Sequence, residues 1–315
     1  MPFVSPLRYP GGKRRLAPVV AQLIEANRLH DIDYVEPYAG GASLALAMLF
    51  NEYASTVYIN DLSRPVFAFW SSVLDETEAF CDRIDGTPVT VEEWHRQRQV
   101  YLHREHADLL DLGFAAFFLN RTNRSGILAG RMIGGMSQTG PWKLDARFNK
   151  DELMRRIRMI GRYRTRIVAS QLDAAAFIGE TADSLRSAVL YFVDPPYIER
   201  GEKLYRNDYT LADHKALERQ ISEIDHHWIV TYDYDAAVRN KIHRGRTRLS
   251  FSLSYSAQRR RRGREAMFLS DSIELPPGWQ GADLIPATPP KSKYPLEATV
   301  EAVSANDGSA QHAQT

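Results

Sequence analysis

Apolar residues along this chain repeat in two ways. Short runs rich in β-branched and aromatic residues predict buried strands, being too short for typical helices: Val189 to Val193, Thr56-Val-Tyr-Ile59, Arg166-Ile-Val-Ala-Ser-Gln-Leu-Asp173 and His227-Trp-Ile-Val-Thr-Tyr-Asp233. Leu16–Ala26 and Leu211–Ile224 instead carry apolar residues three and four apart, the spacing of one helix face, the second behind Thr210 as a cap, and Ala42–Phe50 reads as a strongly apolar helix. Arg248–Tyr255 alternates as a strand should, and a four-arginine turn, Arg259–Arg262, leads to a returning strand at Glu265–Ser270. Strand patterns alternating with helix patterns predict an open α/β sheet.

That rhythm lapses from Arg64 to about Ile167. Residues 65–118 predict helices, one starting at Pro65 and another at Val91 behind Thr90, with Trp70, Trp94 and Tyr101 as packing residues. Charge then reverses. Residues 71–118 hold ten Asp/Glu against four Arg, and residues 121–166 hold twelve Lys/Arg against three Asp/Glu. Within the basic part, Arg121-Thr-Asn-Arg-Ser-Gly126 and Ile133-Gly-Gly-Met-Ser-Gln-Thr-Gly-Pro-Trp142 form a glycine-rich loop, and Glu152–Arg166 an amphipathic helix with a basic side. Arg121, Asn123, Arg124 and Gln138 suit phosphate contact and base-edge readout on nucleic acid. Arg259 and Arg260 either track phosphates or guard a sheet edge. From Pro276 the composition predicts a largely disordered tail, 276–315.

Chemistry concentrates where predicted strands end. Asp194-Pro195-Pro196-Tyr197 stops the Val189–Val193 run, because two prolines fix φ and remove two amide donors. A rigid loop results at a strand's carboxyl end, where open α/β sheets bind ligands. The carboxylate of Asp194, the carbonyl of Pro195 and the ring of Tyr197 suit an exocyclic amine on a planar base. Gly40 and Gly41 lie between a strand and the Ala42–Phe50 helix, as a nucleotide-like cofactor requires, without the full dinucleotide pattern Gly-x-Gly-x-x-Gly. About twenty residues on, Asp61 ends the next strand, the place from which an acid takes ribose hydroxyls. Pro10-Gly11-Gly12-Lys13 opens a helix and offers exposed backbone and a cation to an anionic group. His95, His103 and His106 lack a second ligand set, so no metal is expected.

Composition narrows this little. The chain has 315 residues, 44% apolar and 25% charged, with net charge +1, ordinary values for a globular protein. One cysteine, Cys81, excludes a disulfide framework or a multi-cysteine zinc site. Neither a signal peptide's apolar core nor a membrane-length apolar segment is present, so a cytoplasmic protein without membrane contact is expected.

In their order along the chain, Pro10-Gly-Gly-Lys13, Val35-Glu-Pro-Tyr-Ala-Gly-Gly41, Asn60-Asp61 and Asp194-Pro-Pro-Tyr197 resemble the motifs of the DNA adenine methylase family. These are S-adenosylmethionine-dependent enzymes that methylate the exocyclic amine of adenine. The resemblance covers roughly residues 6–270 and rests on the joint order of motifs that are singly short. It implies a Rossmann-like methyltransferase sheet in a catalytic domain, 1–70 and 167–275, interrupted by a mainly helical target-recognition domain, 71–166. It implies that Lys13 and the turn of Glu36, Pro37, Tyr38, Gly40 and Gly41 hold the methionine end of the cofactor, with Tyr9 and Asp194 beside it. Asp61 would take the ribose, and Asp173 would lie near the cofactor's adenine. Asp194 and Pro195 would accept from the target amine, with Pro196 stiffening the corner and Tyr197 stacking on the extruded base. The expected partners are double-stranded DNA and S-adenosylmethionine, with a cognate restriction endonuclease as a candidate.

This sequence departs from the family pattern at Ala42, where many members have glycine, and at Thr122 and Arg124, where the best-known GATC methylases carry aromatics. Two rivals to a DNA methyltransferase are a methyltransferase on RNA adenine or protein glutamine, and a DNA-binding module without turnover. Asp194 argues against the glutamine enzymes, which typically have Asn there, and the intact Asp194–Tyr197 quartet argues against the module.

Overall fold

The computed structural model describes residues 5–9, 11–186, 188–196, 209–233, 242–243, 248–255 and 261–278. Their strands are β1 (Ile32–Glu36), β2 (Ala54–Asn60), β3 (Ile167–Ser170), β4 (Val189–Val193), β5 (His227–Asp233), β6 (Arg248–Tyr255) and β7 (Arg261–Leu269). They form one seven-stranded sheet in the order β3-β2-β1-β4-β5-β7-β6. Strands β1 to β5 pair in parallel, whereas β7 runs antiparallel to both β5 and β6. The order reverses between β1 and β4, so this sheet has its topological switch point there, and ligands bind beyond the carboxyl ends of such strands. Glu36 ends β1, and Asp194 directly follows β4.

Alternation along β4 decides what covers each face. Leu190 and Phe192 join a core with Val19 and Val20 of helix α1 (Ala17–Ala26) and with Leu46 and Met48 of α2 (Ser43–Phe50). Val189, Tyr191 and Val193 face the other way, onto Phe177 and Ile178 of α8 (Ala174–Ser184) and Leu217 and Ile221 of α9 (Leu211–Glu223). Thr210 caps α9 in a reciprocal box with Asp213, as its position before the apolar pattern predicts.

The long insertion contributes α3 (Arg64–Asp75), α4 (Thr77–Gly86), α5 (Val91–Leu102), α6 (Leu109–Thr122) and α7 (Lys150–Arg162). Pro65 lies in the first turn of α3, and the Thr90 side chain accepts from the amide of Glu93 at the start of α5. Phe69, Phe80, Phe114 and Phe117 meet mostly edge to face, at ring separations of 5.5 to 6.4 Å. These rings belong to the same continuous core as the α1–α2 face of the sheet. The insertion is therefore built onto the sheet by packing, and residues 123–149, between α6 and α7, extend from that rigid base. Among the described residues no helix is long and apolar enough to cross a membrane.

Candidate active site

Asp194 lies where β4 and β5 run side by side. Val193 pairs with Val230, which brings Thr231 level with Asp194. The Thr231 hydroxyl donates to Asp194 Oδ1 at 2.7 Å, while Lys13 Nζ donates to Oδ2 at 2.6 Å. Both carboxylate oxygens are thus oriented before any ligand arrives. Lys13 also donates to the Gly11 carbonyl at 3.0 Å and lies 3.7 Å from Glu265 Oε1. Its side chain is 2% exposed and that of Glu265 is fully buried, whereas Asp194 keeps 23% of its side chain open. Of the three, the catalytic candidate alone retains a path to a ligand. Pro195 is buried behind it.

Lys13, expected at the methionine end of the cofactor, lies beside Asp194. Its ammonium points at Asp194, because a buried cation needs counter-charges and this corner supplies two. Sequence reasoning assigns no role to Thr231 or Glu265. Their signal lies in the topology, which brings β5 beside β4 and sends β7 back so that Glu265 pairs with Asp233 at the carboxyl end of β5.

The turn after β1 is held from several sides. Gly40 has φ +49°, and a Cβ there would meet the ring of Tyr9 at 2.6 Å, so the backbone must come this close to Tyr9 without a side chain. Ala42 shares the left-handed backbone, at φ +45°, which costs roughly 1 kcal/mol for an L residue and explains glycine's frequency at this position. Ser5 Oγ donates to the Gly41 carbonyl at 2.6 Å, and Trp70 Nε1 to that of Gly40 at 2.9 Å. Trp70 is thus a packing residue, as expected, and also a brace for the turn. A buried indole N–H needs an acceptor, the one sequence-level hint of this second role.

Asp61 braces the turn as well. Its two oxygens accept from the amides of Gly40, at 3.0 Å, and Ser63, at 2.9 Å. Burial raises its carboxyl above the ordinary value, against the pull of those two amides. Asn60, buried beside it, ties three loops together. Its amide donates to the carbonyls of Pro37 and Leu172, and its oxygen accepts from the Leu172 amide and Ser170 Oγ, all within 2.8 to 3.1 Å. Asp173 caps α8 through the Ala175 amide at 2.9 Å. Tyr38 shares a 2.8 Å hydroxyl contact with Tyr209.

Glu36 is buried at the end of β1, and its Oε1 has no hydrogen-bond partner. Burial pushes its carboxyl up to about 8, with the charge of Asp194 adding to the effect. An orphaned buried acceptor beside a glycine turn is a place for a cationic or amine-bearing group.

The basic loop is less open than its composition predicts. Arg121 is buried, and its guanidinium donates to the carbonyls of Arg147 at 2.7 Å and Pro6 at 3.4 Å, with burial lowering it to about 9. Asn123, also buried, accepts from Trp94 Nε1 at 2.7 Å and donates to the carbonyls of Ile127 and Leu128, both at 2.9 Å. Gln138 donates to the Ile133 carbonyl at 2.8 Å and to that of Gly135, and accepts from the Leu144 amide at 2.7 Å. The side chains of these three expected DNA contacts thus bond to the chain itself. A loop with few ladder bonds must satisfy its carbonyls with side chains. Arg124 is exposed, as are Arg131, Trp142, Lys143 and Arg147. Trp142 is 64% exposed, with the Arg147 guanidinium 5.5 Å from its ring centre, and Met136 is 62% exposed.

A model of the D12 class N6 adenine-specific DNA methyltransferase family matches residues 9–258. The chain belongs to that family. A search of curated proteins finds no match. Among solved structures, the Pyrococcus horikoshii protein PH1948, described provisionally as an RNA methyltransferase, aligns at 10% identity over 84% of both chains with a TM-score of 0.41. The rRNA methyltransferase aviRa from Streptomyces viridochromogenes aligns at 13% identity over 84% of this chain and 86% of its own, with a TM-score of 0.38.

Membership in the D12 class makes the chain a methyltransferase and implies use of S-adenosylmethionine, and the Rossmann-like sheet expected from the sequence is the one observed. The residues present fit that cofactor on two counts. The Gly40–Ala42 turn leaves no room for a side chain at Gly40, and Glu36 presents its orphaned oxygen from the neighbouring strand end. Tyr197, Arg259 and Arg260 lie outside the described residues.

Proposed function

We propose that this chain is a site-specific DNA methyltransferase that carries a methyl group from S-adenosylmethionine to the N6 amine of an adenine flipped out of double-stranded DNA. The observation that carries this reading is the fixed carboxylate of Asp194 at the switch point, with both oxygens oriented and one side open. When bound, S-adenosylmethionine supplies an electrophilic methyl group on a sulfonium.

The chain's own residues act on the amine. Adenine's N6 lone pair is delocalised into the ring and is a weak nucleophile. A hydrogen bond from the amine to Asp194, with a second to the Pro195 carbonyl, localises that pair and favours tetrahedral geometry. The proton that the methylated nitrogen must lose would pass to Asp194 and then to solvent. Most of the rate then comes from positioning and preorganised electrostatics. Glu36 and the Gly40–Ala42 turn would hold the amino-acid end of the cofactor, and Asp173 would serve its adenine. Asp61 serves the ribose indirectly, by fixing the Gly40 turn.

Extruding an adenine costs a few kcal/mol of stacking and pairing. Residues 71–166 are the target-recognition domain in this reading, and Arg124, Arg131, Trp142, Lys143 and Arg147 supply the compensating contacts. The test is transfer of a labelled methyl group to duplex DNA, to RNA and to a protein glutamine acceptor, followed by mapping of modified adenines in a methylation-free host. Label in DNA at N6 of adenine in one sequence context supports the reading. Label in RNA or protein alone, or none in any acceptor, overturns it.

A further inference from the structure

Tyr209, the residue before the cap of α9, carries its hydroxyl to the cofactor turn. It meets the hydroxyl of Tyr38 at 2.8 Å, with the two rings near perpendicular and 5.9 Å apart. We infer that Tyr209 is a positioning residue for the cofactor, holding Tyr38 in the orientation that S-adenosylmethionine meets. Tyr38 stands between the two ends of the proposed cofactor site. Glu36 and Gly40 flank it in the turn, and the charge of Asp173 reaches the phenols of both tyrosines.

Tyr209 is itself held from behind. Thr210, next to it, caps α9 in a reciprocal box with Asp213, and His214 follows in the first turn. That spacing puts Tyr209 and His214 at the positions of a hydrophobic staple, which fixes the angle at which a chain enters its helix. Their rings meet edge to face at 5.4 Å, and the fully buried His214 meets Tyr232 of β5 at 5.5 Å. Tyr232 follows Thr231, the donor to Asp194. One line of rings therefore runs from the end of β1 to β5, beside the catalytic corner. Tyr38 and Tyr209 are both only half-buried. Burial raises their phenols above the ordinary value, with the charge of Asp173 adding to the effect, so both stay neutral hydroxyls. Two neutral hydroxyls carry two protons. One lies between the oxygens, and the second has no acceptor among the described residues. An unspent donor within reach of the acid Asp173 suits the edge of a purine, which offers a ring nitrogen as acceptor and an amine as donor. Without the Tyr209 hydroxyl, Tyr38 can turn about its side-chain bonds, and ordering it on binding costs affinity.

This role rests on the methyl-transfer reading, so the test takes cofactor binding first, by calorimetry, and transfer second. Wild type, Tyr38→Phe, Tyr209→Phe and the double variant are compared well below their melting temperatures, so that lost folding cannot pass for lost affinity. Each phenylalanine keeps its ring, and with it the packing on His214, and removes one hydroxyl. Tyr209→Phe is expected to raise the Kd for S-adenosylmethionine about fivefold, the scale of one side chain left to be ordered on binding. KM for DNA and the single-turnover rate at saturating cofactor should stay within about twofold of wild type. The double variant should bind cofactor no more weakly than Tyr38→Phe alone, because both substitutions break the same bond. Losses that multiply in the double variant, an unchanged Kd in Tyr209→Phe, or an equal rise in KM for DNA would overturn the role of Tyr209 and leave the methyl-transfer reading standing. A wild-type protein that binds no S-adenosylmethionine would overturn both.

Discussion

Asp194 and the loop from Asn123 to Leu144 both carry polar side chains on a rigid base, yet they spend them differently. At Asp194 they are Lys13 and Thr231, buried behind the carboxylate and aimed at it. In and beside the loop they are Arg121, Asn123 and Gln138, aimed at backbone carbonyls, while the residues left facing solvent include Arg124, Arg131, Trp142 and Lys143. The first arrangement orients both oxygens of one carboxylate. The second fixes a shape and leaves its outer residues to meet a partner. Reactivity is expected to depend on the buried members of the first region, and affinity on the exposed members of the second.

The largest effect that checks this division belongs to Asp194. Asp194→Asn keeps the size of the side chain and removes the anionic acceptor, so methyl transfer is expected to fall by at least about 10³-fold. Affinity for cofactor and for DNA should stay within a few-fold. A parallel loss of DNA affinity would show that the two regions are not separable.

Glu36 gives the next largest effect, as a dependence of stability on pH. Its folded value of about 8 stands above the ordinary 4.5 because burial disfavours the charged form. Below pH 4.5 the group is protonated in folded and unfolded chains alike. Between pH 4.5 and about 8 the unfolded chain releases a proton that the folded chain retains, so stability falls as pH rises through that window. Glu36→Gln is expected to remove this slope, a gain on the order of a few kcal/mol at pH 8 against none at pH 4. Chemical denaturation at both pH values reads it. An unchanged slope would mean that Glu36 is already charged in the folded protein.

Inside the recognition loop two substitutions should part company. Gln138→Ala leaves the Ile133 and Gly135 carbonyls and the Leu144 amide without their partner, at a cost of about 1–3 kcal/mol in stability, with DNA affinity lost through disorder of the loop. Trp142→Ala removes an exposed ring and is expected to leave Tm unchanged while weakening DNA binding about tenfold, the scale of one stacking contact. Equal loss of stability from both would place Trp142 among the stitches.

How far the sequence could be read follows the same line. Val189–Val193, Thr210 and the Gly40–Gly41 turn were legible because strand period, capping and turn chemistry are local. Asp194-Pro195-Pro196 was legible because two prolines leave the chain little choice. Local pattern does not carry partner choice across the sheet. Thr231 and Glu265 reach Asp194 and Lys13 through strand order, and nothing near them in sequence announces it. The loop is ambiguous for a related reason. Arg, Asn and Gln in a glycine-rich segment serve equally as ligand contacts and as substitutes for missing ladder bonds, and only the fold decides which. Arg124, among the four residues of that loop expected to touch DNA, is the one left exposed.

The smallest effects belong to the exposed cations, and they test the second region most directly. Lys143 follows Trp142 directly and Arg131 lies earlier in the loop, and both are exposed, so substituting either by glutamine should cost little stability. If each neutralises one phosphate, each substitution lowers the slope of log affinity against log salt by about 0.9 and weakens binding evenly across DNA sequences. Arg121→Gln is the control. Its guanidinium is buried on backbone carbonyls, so it should lower Tm and leave the salt slope of the remaining folded protein unchanged. A slope change at Arg121 equal to that at Arg131 would mean that the guanidinium leaves its carbonyls when DNA arrives, and the loop would then be remade by its partner instead of displayed to it.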